Sequence, residues 1–497
     1  ETKHYRSYGE TQEYMRQKEI FMPTEFLHGL YDGGHGAGLK DYWDMMMANP
    51  RCAGGFLWDL MDQGVVRTDK NNYVDCMGNF GADGIVGPHA EKEGSYYTIK
   101  EVWCPVQLTW NDVEKGELTL SNQYNFVNLK DCRFSYRLLQ MPAMGSTQVK
   151  VLKQGNLSSP DVAPGKEAQV KIPMMANADA VEIKAVNHEG EEIMTWSRGV
   201  KSEERRVKNS SAPSTSSAAY ADQADAVEVK AGGRTYRFAK KDGRLMGVEV
   251  GSKAISLSNG PRFMAARRSD RSLDQFYNHD DKEAEKKKTL YTEFVDQGAF
   301  AGFEWKEAEA KLVATYQHGS LDEVDWQFLS DGSVAVTCHY NFGGVVDMMG
   351  MAFDYPESKV RSKAWVGNGP YRVWQNREQG PQYGYWQNDY NDPIPAESWD
   401  YPEFKGYFAN VKWMQFKTDE GKIGFSGLTA DEHMGVYTPR DGRDGLLYTL
   451  PQTGLAVFKV IPSVRNKVNT TDLNGPSAQP KWLNGKGKVE FTLNFEL

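Results

Sequence analysis

The run Glu19-Ile20-Phe21-Met22-Pro23-Thr24-Glu25-Phe26-Leu27-His28-Gly29 decides how this chain is read. It is a short apolar stretch that carries one carboxylate and then breaks into glycines. A second run, Cys52-Ala53-Gly54-Gly55-Phe56-Leu57-Trp58-Asp59-Leu60-Met61-Asp62-Gln63, delivers Trp58, Asp59 and Asp62. Between the two, residues 38–49 space Leu39, Tyr42, Trp43 and Met46 at i, i+3, i+4 and i+7, which predicts an amphipathic helix ended by Asn49-Pro50. Two buried strands separated by a helix, each ending in polar residues, is the pattern of the last turns of a (β/α)8 barrel. Functional groups there sit at strand C-termini. Such a barrel takes about 250 residues, whereas only residues 1–104 read as α/β, with a further helix expected near 93–102. Residues 1–104 are therefore expected to be the C-terminal part of a TIM-barrel domain.

Working outward, the character changes after Trp103-Cys104-Pro105. Short alternating runs at 106–110, 117–120, 133–138 and 180–186, with turn signals between them, predict an immunoglobulin-like β-sandwich over 105–206. Residues 207–225 are rich in Ser, Ala and Pro and read as a linker. From 226 to 497 the alternation returns, for example at 227–230, 235–238, 333–338 and 489–495, with no clear helix, and predicts one large two-sheet sandwich. The fold class is thus multidomain, α/β followed by all-β.

Composition excludes several classes of function. A net charge of −9 argues against nucleic acid, which needs a basic footprint. The basic run Lys286-Lys287-Lys288 lies among acids and reads as a solvated loop. No run approaches the roughly 18 apolar residues that span a bilayer. The N-terminus Glu1-Thr2-Lys3-His4-Tyr5-Arg6 has neither an initiator Met nor an apolar signal core, so the chain is expected to begin inside a longer precursor. Its compartment stays open among cytoplasm, periplasm and secretion. Five cysteines at unrelated spacings read as buried thiols rather than a metal or redox motif. The 13 Trp and 25 Tyr suit packing against pyranose faces, although an aromatic β core accounts for most of them. The glycine-rich stretch Gly33-Gly34-His35-Gly36-Ala37-Gly38 lacks the Lys-Ser/Thr and the spacing of a nucleotide cradle.

Several motifs resemble glycoside hydrolase family 2, the β-galactosidase group. They are Thr24-Glu25-Phe26-Leu27-His28-Gly29, Tyr42-Trp43, Asn49-Pro50-Arg51 and Gly54-Gly55-Phe56-Leu57-Trp58-Asp59-Leu60-Met61-Asp62-Gln63. The run Trp365-Val366-Gly367-Asn368-Gly369-Pro370-Tyr371-Arg372-Val373-Trp374-Gln375-Asn376-Arg377 looks like that group's C-terminal signature. The resemblance implies a barrel end, an immunoglobulin-like domain and a large C-terminal sandwich of the galactose-mutarotase-like kind. It implies a retaining β-glycosidase with Glu25 as nucleophile and a second carboxyl about 5–5.5 Å away as acid/base. His28, Trp58 and Asp59 would meet the sugar, Asp62 would brace loops, and Phe80 and Asp83 fall where relatives bind sodium. A Mg or Na ion is the only cofactor it brings. The family's acid/base lies in an Asn-Glu pair on an earlier strand, and Glu1, Glu10 and Glu13 lack the preceding Asn. The chain is therefore expected to carry the nucleophile without the acid/base, to be inactive alone, and to associate with the other half of its barrel or with itself. The sugar stays open among galactoside, glucuronide and mannoside, and a non-catalytic carbohydrate-binding protein is the reading from a different class.

Overall fold

A computed structural model describes residues 1–29, 35–77, 81–200, 218–268, 291–294, 296–389, 406–437, 453–464 and 473–497. The loop 30–34, Phe80, the basic run 286–288 and most of the 207–225 stretch lie outside the described residues.

The N-terminal segment is α/β. Backbone hydrogen bonds align residues 1–5 with 21–25, through Met22 to Glu1, Thr24 to Lys3 and Tyr5 to Glu25. The bridge His4 to Glu25 is parallel. Strand Leu27–His28 pairs in parallel with Leu57–Trp58, with His28 opposite Trp58. Beyond it, Met61 bridges Val86, again in parallel. Parallel strands need crossovers, and helices Tyr8–Tyr14 and Leu39–Met47 supply two of them. The first starts from a capping box, in which the Ser7 hydroxyl accepts the Glu10 N–H and the Glu10 carboxylate accepts the Ser7 N–H. The second lies where the i, i+3, i+4, i+7 spacing put it, and buries Leu39, Tyr42 and Met46. Helix Gly94–Val102 completes the core with Ile99 and Val102, against Phe21, Phe26 and Leu27. Among the described residues these segments form an open parallel arrangement, not a closed barrel.

One expectation changes. The second run reads as a buried strand, yet Phe56 is 57% exposed and Leu60 69% exposed. The first run, flanked on both sides, buries Phe21, Phe26, Leu27 and His28. The second has the same backbone pairing but one open face, so its alternate side chains meet solvent.

Seven strands follow in two antiparallel sheets. Val106–Asp112, Glu117–Asn122 and Glu167–Lys171 form one. Glu192–Gly199, Ala180–Val186, Arg133–Gln140 and Lys150–Leu157 form the other, in that order. Leu118, Leu120, Phe134, Ile183 and Trp196 fill the space between them.

The rest is a larger sandwich of ten- and nine-stranded sheets, counted over the described residues. The C-terminal strand Lys481–Glu496 pairs along the whole of Val334–Val346. Alternate residues such as Val489, Phe491, Leu493 and Phe495 point into a core with Trp326 and Phe353. Strand Ala219–Asp222 pairs with Ala226–Ala231 at one edge, inside a stretch whose composition reads as linker. An edge strand needs only backbone pairing, so a poor apolar pattern does not prevent it. The five cysteines form no disulfide; Cys52 is part-exposed and the other four are buried.

The sandwich docks directly on the α/β segment. Ala37, Cys76 and Ala82 share a core with Val373, Trp374 and Phe458. The Gly38 N–H reaches the Asn376 carbonyl at 2.8 Å, and Asp41 Oδ2 accepts the Ser477 N–H at 2.7 Å and its hydroxyl at 2.6 Å. Glu101 accepts the Gly380 N–H at 2.7 Å. The 365–377 signature thus packs against residues 36–38.

Candidate functional site

Glu25 stands at the end of the first run, where the chain is held on both sides. Its carbonyl accepts the Tyr5 N–H at 2.7 Å, and the next residue, Phe26, donates to the Phe56 carbonyl at 3.0 Å. The carboxylate keeps 21% of its surface open, and His4 Nε2 lies 3.6 Å from Oε2. Three residues on, His28 is 1% exposed. Its ring packs against Tyr5, with centroids 5.7 Å apart.

Across the parallel pair, Trp58 shows 38% of its surface while its Nε1–H donates to Asp83 Oδ2 at 3.1 Å. His28 Nε2 lies 3.7 Å from the same oxygen. Asp83, 3% exposed, therefore holds the indole by a hydrogen bond and faces the imidazole from behind. Its carbonyl accepts the Asp59 N–H at 2.9 Å and the buried His35 Nε2–H at 2.9 Å. Gly29 is needed at this crossing, because a Cβ there would stand 2.1 Å from the Asp83 carbonyl oxygen and 2.1 Å from His35 Nε2.

Asp59 accepts a hydrogen bond from Gln63 at 3.1 Å. Burial pushes its carboxyl above the usual carboxylate range; the Gln63 bond opposes the rise and the Glu25 charge adds to it. Burial lowers the His35 imidazole to about 4, so it is neutral at pH 7. Asp62 is a brace: its Oδ1 accepts the Gly84 N–H at 2.8 Å.

The structure therefore gathers Glu25, His28, Trp58 and Asp59 at one end of the parallel strands, with Asp83 behind them. Phe80 lies outside the described residues, and Asp83 Oδ2 accepts from Trp58 and faces His28. Sequence reasoning did not single out His4, Tyr5 or the anchoring role of Asp83. The N-terminal residues join the site through isolated backbone bridges, which leave no periodic signature. Such a group can pack a ring's C–H face on the indole and accept hydroxyl protons on carboxylates. A separate cavity of about 880 Å³ lies elsewhere, between Glu101, Trp110, Trp196, Glu378, Tyr383 and His433, and none of the four gathered residues lines it.

The family described as β-galactosidase small chain matches residues 230–456, and the one described as β-galactosidase domain 4 matches residues 118–196. The β-galactosidase of Oenococcus oeni is 19% identical over 92% of this chain and 47% of its own length. That of Aeromonas hydrophila is 24% identical over 33% of this chain and 18% of its own. That of Priestia megaterium is 27% identical over 23% and 12%. The chain spans about half the length of the Oenococcus relative and less of the others. A solved galactose 1-epimerase from Lactobacillus acidophilus overlays 57% of the chain at 8% identity with a TM-score of 0.31, too low to carry an argument.

An α/β segment with carboxylates at strand ends, buttressed by two β-sandwiches and matched along its length by glycosidases, defines a multidomain glycosidase-type chain. It is similar to the β-galactosidase-like proteins of glycoside hydrolase family 2, over their C-terminal portion.

Proposed function

We propose that this chain carries the nucleophile side of a retaining β-glycosidase site of the β-galactosidase type. The observation that carries the reading is the grouping of Glu25, His28, Trp58 and Asp59 across the ends of one parallel strand pair. In this reading residues 1–104 are the end of a TIM barrel, 105–206 an immunoglobulin-like sandwich, 207–225 a linker and 226–497 the large C-terminal sandwich.

Glu25 attacks the anomeric carbon of a β-galactoside, and the glycosidic C–O bond breaks to leave an ester on Oε. A carboxyl supplied elsewhere in the protein protonates the leaving oxygen and then takes a proton from the water that opens the ester. The aglycone leaves first and the sugar is released with retained configuration. His28 donates to a sugar hydroxyl while Asp83 fixes its ring, and Trp58 offers its open face to the pyranose. Asp59, raised beside Glu25, hydrogen-bonds a hydroxyl. The open face of Phe56 and Leu60 supports the reading that another part of the barrel covers this side.

The test uses a 2-deoxy-2-fluoro-β-galactoside with a dinitrophenolate leaving group, which needs little protonation. The expected result is one stable adduct on the peptide holding Glu25, in this chain or in a form extended upstream. Absence of an adduct in both overturns the galactosidase reading. It shifts the weight to a glucuronidase or mannosidase, or to a carbohydrate-binding protein.

A further inference from the structure

We propose that Glu323, Asp325 and His339 form a divalent-cation site on the outer face of the nine-stranded sheet. It is independent of the Glu25 group. Strand Leu321–Phe328 runs antiparallel to Val334–Val346, with Glu323 directly opposite His339 and Asp325 opposite Thr337. Val324, Trp326, Cys338 and Tyr340 are buried in the core, so strand alternation turns the three polar residues to the other face. One ligand atom from each lies within 4.8 Å of the others. The register shifts between Leu321 and Glu323, a bulge of the kind that re-aims a side chain.

A second observation points to a ligand. Asp325 Oδ1 is buried and has no hydrogen-bond partner among the described residues. The Asp325 side chain is 20% exposed overall, but this one oxygen is cut off from solvent, and a cation at the cluster would give it a partner. The other oxygen, Oδ2, lies 3.5 Å from Lys311 Nζ, which also pairs with Glu309 at 3.1 Å. The lysine therefore balances one side of the cluster and leaves the side facing His339 and Glu323. On the neighbouring strand, Lys488 opposite His339 is taken up by Glu490 at 2.8 Å.

Two carboxylates and an imidazole form a mixed O/N ligand set that suits zinc and its first-row neighbours. Calcium prefers oxygen alone. Zinc–ligand distances of about 2.0–2.2 Å require the three side chains to draw in slightly, with water completing the shell. The ion would tie the two strands of this hairpin together across their exposed face.

The test takes the whole chain, stripped of metal, and titrates it calorimetrically with Zn2+. A parallel titration with Co2+ is followed by its visible absorption, which reads the ligand set directly. One Zn2+ per chain is expected, with a rise in melting temperature on saturation. Glu323→Gln and His339→Gln should each weaken binding by at least about tenfold, the loss that an outer-shell partner alone produces. His339→Gln should also change the Co2+ spectrum, while its melting temperature in EDTA stays at the native value. Lys311→Met, which frees Asp325 from its competitor, should tighten binding. No saturable Zn2+ uptake, or uptake unchanged in both Glu323→Gln and His339→Gln, overturns the proposal.

Discussion

At the scale of single residues, the site is organised by a group that need not touch sugar. Asp83 receives Trp58 and faces His28 through one oxygen, and its carbonyl takes Asp59 and His35. His35 pays for this in pH range. Its pKa falls from 6.5 to about 4 on burial, so the unfolded chain binds a proton that the folded one refuses between those values. The stability this gives is complete above pH 6.5 and is lost as pH falls towards 4, by up to about 3 kcal/mol. Thermal melts of the native chain should therefore steepen in that window, and His35→Gln should flatten the pH dependence there while costing stability at pH 7. Equal slopes for both forms would contradict the assignment. Gly29→Ala drives a Cβ into the Asp83 carbonyl and His35. It should cost about 3 kcal/mol through overpacking and abolish labelling of Glu25; native stability and labelling would contradict the close packing.

At the scale of elements, legibility follows locality. The helix Leu39–Met47 is readable because its apolar stripe is the face it buries. The strands of both sandwiches are readable where alternation matches burial, as in Glu117–Asn122 and Leu321–Phe328. The capping box of Tyr8–Tyr14 is also written in the sequence, at Ser7 and Glu10, but seven residues carry little periodicity. What is not readable depends on neighbours distant in the chain: the open face of 52–60, the pairing of Ala219–Asp222, and the bridge from His4 to Glu25. For the site, Glu25, His28, Trp58 and Asp59 are legible through their motifs, whereas the linkage through Asp83 is tertiary. Helix Gly94–Val102 gives an element-scale test. Burial raises the Glu101 carboxyl, and the bonds from Gly380 and Gln382 only partly offset this. A raised folded pKa favours the fold at low pH, and that advantage disappears as pH rises through it. Glu101→Gln should therefore become more favourable relative to native at pH 8 than at pH 4, measured by melting temperature. The reverse trend would contradict the burial account.

At the scale of the whole molecule, the α/β segment and the C-terminal sandwich behave as one packed body. They share the core of Ala37, Cys76, Val373 and Trp374 and are tied by Asp41 to Ser477. Phe56, Leu60, Val65, Tyr73 and Met77 of the α/β segment are between 52% and 72% exposed. Contiguous apolar exposure of this kind would mark an interface. The chain should therefore self-associate in light scattering and bind a hydrophobic dye, and an upstream-extended form should do both less. A monodisperse, dye-silent chain would contradict a covered barrel side. The central claim is that Glu25 is the nucleophile of a retaining site. Its most direct test is chemical rescue in the extended protein, with Glu25→Ala, an activated aryl β-galactoside and azide. The account predicts turnover lost by at least about a thousandfold, restored by azide, with the product an α-galactosyl azide. Unchanged turnover, or a β-configured azide product, would contradict it.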